Sequence, residues 1–434
     1  MVSPTKKILL MTLLTNACRV ILAVVFMVSG FVKAVDPMGF FYKLKDYAQA
    51  FDVTCFSDAW LQFFAMLFVA VEFVAGFFLL TGVYRKVVSW LVMLVMLVYT
   101  PLTLYIAIKN PVPDCGCFGD ALQLTNWETF AKNVFLLLVA LPVCIKSSLF
   151  RRCISRGNRW LAVVFAISYI VLVEGMSMWH LPVIDFRPFA VGTDIQASMR
   201  GVPAQYKVYA TYEKAGVQRE FSADSLPDAS WVYIGGRNEL VKPAVLPSIN
   251  DFSFIDLSTG YDIADDILCD TGYVALLVAP SLETADESRV DKINDLYDYC
   301  KENGLAFYAA SSSGEEAVGQ WRMRTGAEYP IYWADDVMLK TMIRANPGLV
   351  LLRGGCVVEK WNVVDVPELD AGSSSGLQKS KTGYVATMRG LRFWLLLFAV
   401  PMAFILLADM FFAVVTKKRE PAKEGGEEPA SPAD

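Results

Sequence analysis

Six stretches of this chain are long and apolar enough to cross a bilayer, and nothing else in it restricts the fold so strongly. A helix rising about 1.5 Å per residue covers the hydrocarbon core in roughly 20 residues and satisfies its own backbone there. The stretches are 8–35, 60–81, 87–108, 126–146, 160–180 and 393–415. Asn16 and Arg19 interrupt the first; Pro101, Pro142 and Pro401 lie inside others, as membrane helices tolerate. With 55% hydrophobic and 19% charged residues, the whole is too apolar for an ordinary soluble protein. A net charge of −5 argues against a nucleic-acid partner, and a single histidine, His180, excludes multi-histidine metal and haem sites.

The short loops set the expected orientation. Lys6 and Lys7, Arg85 and Lys86, the run Lys146, Arg151, Arg152, Arg156 and Arg159, and finally Lys417, Lys418 and Arg419 all fall on one side of a six-span alternation. The positive-inside rule makes that side cytoplasmic, with both termini. Residues 36–59, 109–125 and 182–388 then face outward, toward the periplasm of a bacterium with this chain in its inner membrane. The first apolar run continues past any small-residue cleavage site, so no removed signal peptide is expected. Residues 417–434 are charged, rich in Pro and Gly, and expected to be disordered.

The chain therefore divides into a four-helix membrane unit (1–146), a basic loop with the fifth span (147–181), an exported β-rich extension (182–250), an α/β domain (251–388), the sixth span (389–416) and a tail (417–434). In the extension, residues 208–211 and 217–221 flank Lys214-Ala215-Gly216 and read as a hairpin. In the α/β domain the expected order is strand 273–279, helix 287–303, strand 305–310, helix 315–324, helix 336–344, and strands 348–352 and 357–361 about the turn Gly354-Gly355. This order resembles the TlpA-like thioredoxin fold, with Asp251-Phe252-Ser253-Phe254 as its opening strand and Pro347 where that family has a cis-proline. The resemblance fails at the chemistry. After Ala279 the chain reads Pro280-Ser281-Leu282-Glu283-Thr284-Ala285-Asp286, without the family's Cys-x-x-Cys. The domain is expected to bind a client rather than exchange disulfides with it. Cys300 falls on a core-facing helical position; Cys269 and Cys356 could pair or stay free.

The sharpest local feature is Pro111-Val112-Pro113-Asp114-Cys115-Gly116-Cys117-Phe118-Gly119-Asp120. It holds two thiols one residue apart, with Gly116 free to bend between them. A disulfide closed in so small a ring is strained and labile, suited to oxidising others. Thr125 and Glu128 form a capping-box pattern that starts the next span directly behind the loop. Three readings stay open: a redox pair, a static disulfide, or half of a soft-metal site, which two thiolates would leave incomplete. Asp114 and Asp120 would raise the thiol pKa and oppose reactivity. Cys55, before the second span, shares the outer surface and is a candidate third thiol for resolving the pair.

Within the spans, Glu72 is a functional candidate by default, with Lys33 and Lys132 as candidate partners and a structural hydrogen bond as the bland alternative. Glu174 and His180 are expected at the outer interface, and Asp409 near the inner headgroups. Trp60, Trp90, Trp127, Trp160 and Trp179 fit an interfacial belt.

Residues 16–146 resemble the DoxX/MauE family of four-helix membrane proteins, through Arg19, Phe31-Val32-Lys33-Ala34-Val35-Asp36-Pro37, Glu72, Gly76 and the Asp114–Asp120 loop. Fused chains of this kind resemble DoxX-type proteins of Bacteroidetes. The resemblance implies thiol–disulfide work at the outer face, as in maturation of the disulfide-rich methylamine dehydrogenase light subunit, with a membrane quinone as acceptor. The expected site is Cys115, Cys117, Cys55 and Glu72, and the expected partners are an exported client or periplasmic redox protein and the bilayer. A different class, a non-catalytic assembly or scaffold subunit with Cys115 and Cys117 as a clip, stays open beside it.

Overall fold

Two glycines set the geometry of the membrane part. In this computed structural model, which describes residues 4–53, 55–112, 115–222, 225–366 and 387–419, helix α1 (Pro4–Val35) and helix α3 (Asp58–Thr81) cross in backbone contact. A Cβ built on Gly30 would stand 2.7 Å from the Phe73 backbone nitrogen; one on Gly76 would stand 2.7 Å from that of Met27. Small residues at such crossings let helices approach where lipid gives no hydrophobic drive for association.

Among the described residues, six helices are long and apolar enough to cross a membrane. They are α1, α3, α4 (Arg85–Lys109), α5 (Asn126–Ile145), α6 (Arg159–Trp179) and a C-terminal helix (Thr387–Arg419). The chain is a multi-pass membrane protein. The expected spans agree with these helices to within a few residues, and the three prolines lie inside helices. Residues 420–434, expected to be disordered, lie outside the described residues.

The segment 36–59, read as a loop, instead holds helix α2 (Pro37–Ala50). Asp36 caps it, its Oδ1 accepting from the Gly39 N–H at 2.9 Å, and Pro37 stands at the first helical position, where no N–H is needed. One face buries Phe41 against Leu61 and Ala65 of α3.

At the opposite end, α1 holds the loop after α5. Arg19, 6% exposed, donates from Nη1 to the Arg151 carbonyl at 2.6 Å, and its guanidinium lies 5.2 Å from the Phe150 ring centroid. Asp409 of the C-terminal helix, expected near the inner headgroups, is enclosed by protein. It is buried, accepting from the Ser155 N–H at 3.0 Å and from Asn158 Nδ2 at 2.7 Å. Glu174, expected at the outer interface, is 3% exposed, with Oε1 unpartnered among the described residues. The five expected belt tryptophans are all exposed.

The second unit, Arg187–Tyr384, is built separately. A short helix α7 (Ile195–Met199) precedes a three-stranded antiparallel sheet of order β2-β1-β3: β1 (Gln205–Lys214), β2 (Val217–Ser222) and β3 (Val232–Lys242). The expected hairpin is present, and Ala215 and Gly216, both at positive φ, make its two-residue turn. Strand β3 was not anticipated, because Gly235-Gly236 and two register shifts break its alternation. After α8 (Ala264–Cys269) come β4 (Tyr273–Val278), α9 (Val290–Glu302), β5 (Ala306–Ser311), α10 (Glu315–Thr325), β6 (Ile331–Trp333), α11 (Asp336–Met342), β7 (Gly348–Arg353) and β8 (Cys356–Asn362). The sheet order is β6-β5-β4-β7-β8, with β4, β5 and β6 parallel and β7 and β8 antiparallel. Its core gathers Trp321, Tyr329, Trp361 and Cys300. The Asn346–Pro347 peptide bond is cis. The expected opening strand 251–254 is absent as a strand. Phe252 and Phe254 are buried there, but only the next residue, Ile255, bridges Trp333 of β6, exchanging both backbone hydrogen bonds at 2.8 Å.

Candidate functional site

The site grows out of the α1–α3 crossing. Lys33 lies one turn beyond Gly30 and Glu72 one turn before Gly76, so the glycine contact brings the two charges together. Lys33 Nζ donates to Glu72 Oε2 at 2.7 Å, with the side chains 3% and 9% exposed. Of the two candidate partners of Glu72, the fold selects Lys33. Lys132 points instead at the loop, its Nζ 4.6 Å from the centroid of the Phe118 ring. The Lys33 ammonium also stands 5.1 Å from the Phe40 ring centroid and 5.9 Å from that of Phe68. A buried cation thus has a carboxylate and two π faces around it, which offsets part of its desolvation.

The cysteine loop is fastened over this pair. Ser29, on the same face of α1 as Lys33, donates to the Cys117 carbonyl at 2.7 Å. Tyr47 of α2 donates its hydroxyl to the Cys115 carbonyl at 3.1 Å. Asn126, at the start of α5, reaches Asn110 Oδ1 at 2.7 Å and the Val112 carbonyl at 3.1 Å. The expected capping box of Thr125 and Glu128 is formed. Gly116 at φ +62° makes the bend, and a Cβ there would press within 3.2 Å of Lys43 Cγ. Held this way, the free thiols of Cys115 and Cys117 have their sulfurs 2.9 Å apart. Asp114 lies outside the described residues.

Beneath the loop is a cavity of about 240 Å³, lined by Lys33, Phe40, Tyr47, Phe68, Tyr99 and both cysteines among others. Sequence reasoning found Lys33, Cys115 and Cys117 but not the cavity, whose rings come from three helices; the cap Asp36-Pro37 was its one readable sign.

The two thiols are electrostatically unlike. Cys117 is held below the usual thiol range, first by the hydrogen bond from Cys115 and then by the Lys132 and Lys33 ammonium groups, against the opposing effects of burial and Glu72. Cys115 is pushed up, chiefly by its hydrogen bond with Cys117 and then by burial, against the Tyr47 hydroxyl and the Lys132 ammonium. Each sulfur's shift depends on the other, so the two titrate as a pair.

Cys55 is a free, exposed thiol and is not among the described residues lining the cavity. Cys269 and Cys356 are free. Cys300 is fully buried, and burial pushes its thiol up to about 12. We expect Cys300 in the folded chain to resist iodoacetamide at pH 8 for hours while Cys269 reacts within minutes. Equal labelling, read by peptide mass spectrometry, would remove Cys300 from the core. In the second unit, the segment after β4 is tied by oxygen and nitrogen groups. Glu283 Oε2 accepts from Ser281 at 2.8 Å and Ser313 at 2.6 Å, and Asn346 Nδ2 donates to the Ser281 carbonyl at 2.8 Å. Those two hydroxyls hold the Glu283 carboxyl below its ordinary range.

Taken by its geometry, the membrane unit is a helical bundle that carries a dithiol in the loop between α4 and α5. Residues 11–146, just under a third of the chain, match the family of methylamine utilisation protein MauE, so this part is similar to MauE-type membrane proteins. Residues 206–243, which hold most of the three-stranded sheet, match a domain of unknown function (DUF8463). No curated protein and no solved structure matches the chain.

Proposed function

We propose that the chain is a membrane thiol–disulfide redox protein with a methylamine-utilisation type of accessory role, oxidising an exported dithiol client through Cys115 and Cys117. The observation that carries this reading is the 2.9 Å approach of two free sulfurs above an aromatic cavity with a buried lysine. A structural clip needs neither the cavity nor the cation. By the positive-inside pattern, the cysteine loop and the second unit face the periplasm and both termini the cytoplasm.

The acceptor we favour is a membrane quinone. The residues present fit one. Phe40, Phe64, Phe68 and Tyr99 would face a flat apolar ring, and Lys33 would donate to a carbonyl oxygen at its edge. When bound, it would supply two-electron acceptance. Glu72, paired to Lys33, would fix that ammonium and exchange its proton. The β4-α9-β5 crossover with the β7–β8 hairpin supports a thioredoxin-like reading of the second unit. Its thiol-free loop after β4 supports client binding without exchange.

The test reconstitutes the full chain in lipid nanodiscs, reduces it, removes the reductant anaerobically and adds a soluble quinone. Alkylation mass shifts should show Cys115 and Cys117 oxidised within seconds, and unchanged when either is serine. A pair fixed in one state, whatever quinone or reductant is added, would make the loop a clip and the chain a scaffold.

A further inference from the structure

Cys115 and Cys117 are neighbours in sequence but not equivalent in place. Cys117 is pinned through its carbonyl to Ser29 of α1, and Ser29 is itself 5% exposed. Lys33 is four residues farther along the same helix face and lines the same cavity. Lys132 approaches from α5, over the ring of Phe118, the residue next to Cys117. Both lysines thus approach the loop at or next to Cys117. Cys115 is held on the other side, through its carbonyl, by Tyr47 of α2.

Resting on the redox reading above, we propose a fixed division of labour: the client attacks Cys115, and Cys117 is the leaving thiolate, with Lys33 and Lys132 as the positioning cations that receive its charge. In the oxidised chain, a client thiolate forms a bond to Cys115 Sγ as the Cys115–Cys117 bond breaks, and the electron pair departs on Cys117 Sγ. The client's second thiolate then attacks the client sulfur of the mixed disulfide. The client disulfide forms, and Cys115 leaves and takes up a proton. Two electrons have moved from client to pair, one client proton rests on Cys115 and the other is released. The reduced end state has a Cys115 thiol donating to a Cys117 thiolate, and the 2.9 Å sulfur contact accommodates that bond. In thiol–disulfide exchange the better-stabilised thiolate leaves faster, so attack is directed to its partner. The depressed Cys117 pKa agrees with this assignment.

The sign of the pH dependence follows. A lowered thiol pKa keeps the thiolate present below pH 7 and loses it only as pH falls through the lowered value. An ordinary thiol, near 8.5, is already almost wholly protonated there. In the reduced full chain, iodoacetamide at pH 6.5 should therefore label Cys117 at least about tenfold faster than Cys115.

The deciding experiment uses oxidised full chain in nanodiscs, pulsed with reduced glutathione, quenched in acid, alkylated and sequenced by mass spectrometry. Glutathione is expected on Cys115 and the alkyl label on Cys117. The paired neutral variant Lys33→Met/Glu72→Leu, or Lys132→Met should it fold poorly, should slow Cys117 labelling at pH 6.5 about tenfold, and Lys33→Arg should keep it. Glutathione on Cys117, or evenly on both, would overturn the assignment while leaving the redox function standing. No adduct on either sulfur would overturn both. Unchanged pH 6.5 labelling in the neutral variants would take the lysines out of the role.

Discussion

Lys33→Met alone is expected to cost the membrane unit roughly 3–5 kcal/mol, the usual penalty for leaving one member of a buried ion pair uncompensated. Glu72 would then sit 9% exposed beside Phe40 and Phe68 with its 2.7 Å partner gone. Against native stabilities of about 5–15 kcal/mol, that is a large share. The folded yield from membranes should fall several-fold, and the thermal midpoint of what survives should drop. Lys33→Met/Glu72→Leu should recover most of both, because replacing a whole buried pair by apolar groups is often near neutral. The comparison is read by size-exclusion profile and melting curve in one detergent. If the single variant melts with the wild type, the ion pair is not what holds the α1–α3 crossing, and its place beside the thiols is its whole purpose.

The spans were legible because a membrane helix must announce itself with a long apolar run, and these six did. The α2 helix was not, although Asp36-Pro37 is a start signal, since its lysines and polar residues read as loop between two spans. Its face of Phe40, Leu44 and Tyr47 closes the cavity, so missing the helix meant missing the pocket. Glu72 could be singled out as an ionisable residue inside a span, but the choice between Lys33 and Lys132 depends on helix register. That register is fixed by Gly30 and Gly76, and only Gly76 stood out in the sequence. The thiol pair was plain from its Pro/Gly frame. Its asymmetry was not, because Ser29, Lys33 and Lys132 come from helices nearly a hundred residues apart. Asp409 shows the same gap: its place near a helix end was readable, but its partners, Ser155 and Asn158, were not.

Gly76→Leu should be among the most damaging uncharged substitutions in the membrane unit, beside Gly30→Leu. The atoms a side chain would meet are the Met27 nitrogen at 2.7 Å and the Ala23 carbonyl oxygen at 2.9 Å, which are backbone and cannot rotate away. Relief requires α1 and α3 to move apart. Overpacking in a core that can adjust costs typically about 1–3 kcal/mol, and here the adjustment would also pull Lys33 from Glu72. The damage should then reach the cysteines: Cys117 should lose its fast labelling at pH 6.5 as Lys33 withdraws, even in protein that stays soluble in detergent. Gly175→Leu is the matched control, a helical glycine of α6 with no atom within 4 Å of its added Cβ, excluding its own helix backbone and chain neighbours. It should melt and label as the wild type does. Wild-type melting in Gly76→Leu would mean the helices do not touch there. Lost melting stability with Cys117 labelling intact would separate the crossing from the thiol chemistry, and leave Lys132 alone to stabilise the thiolate.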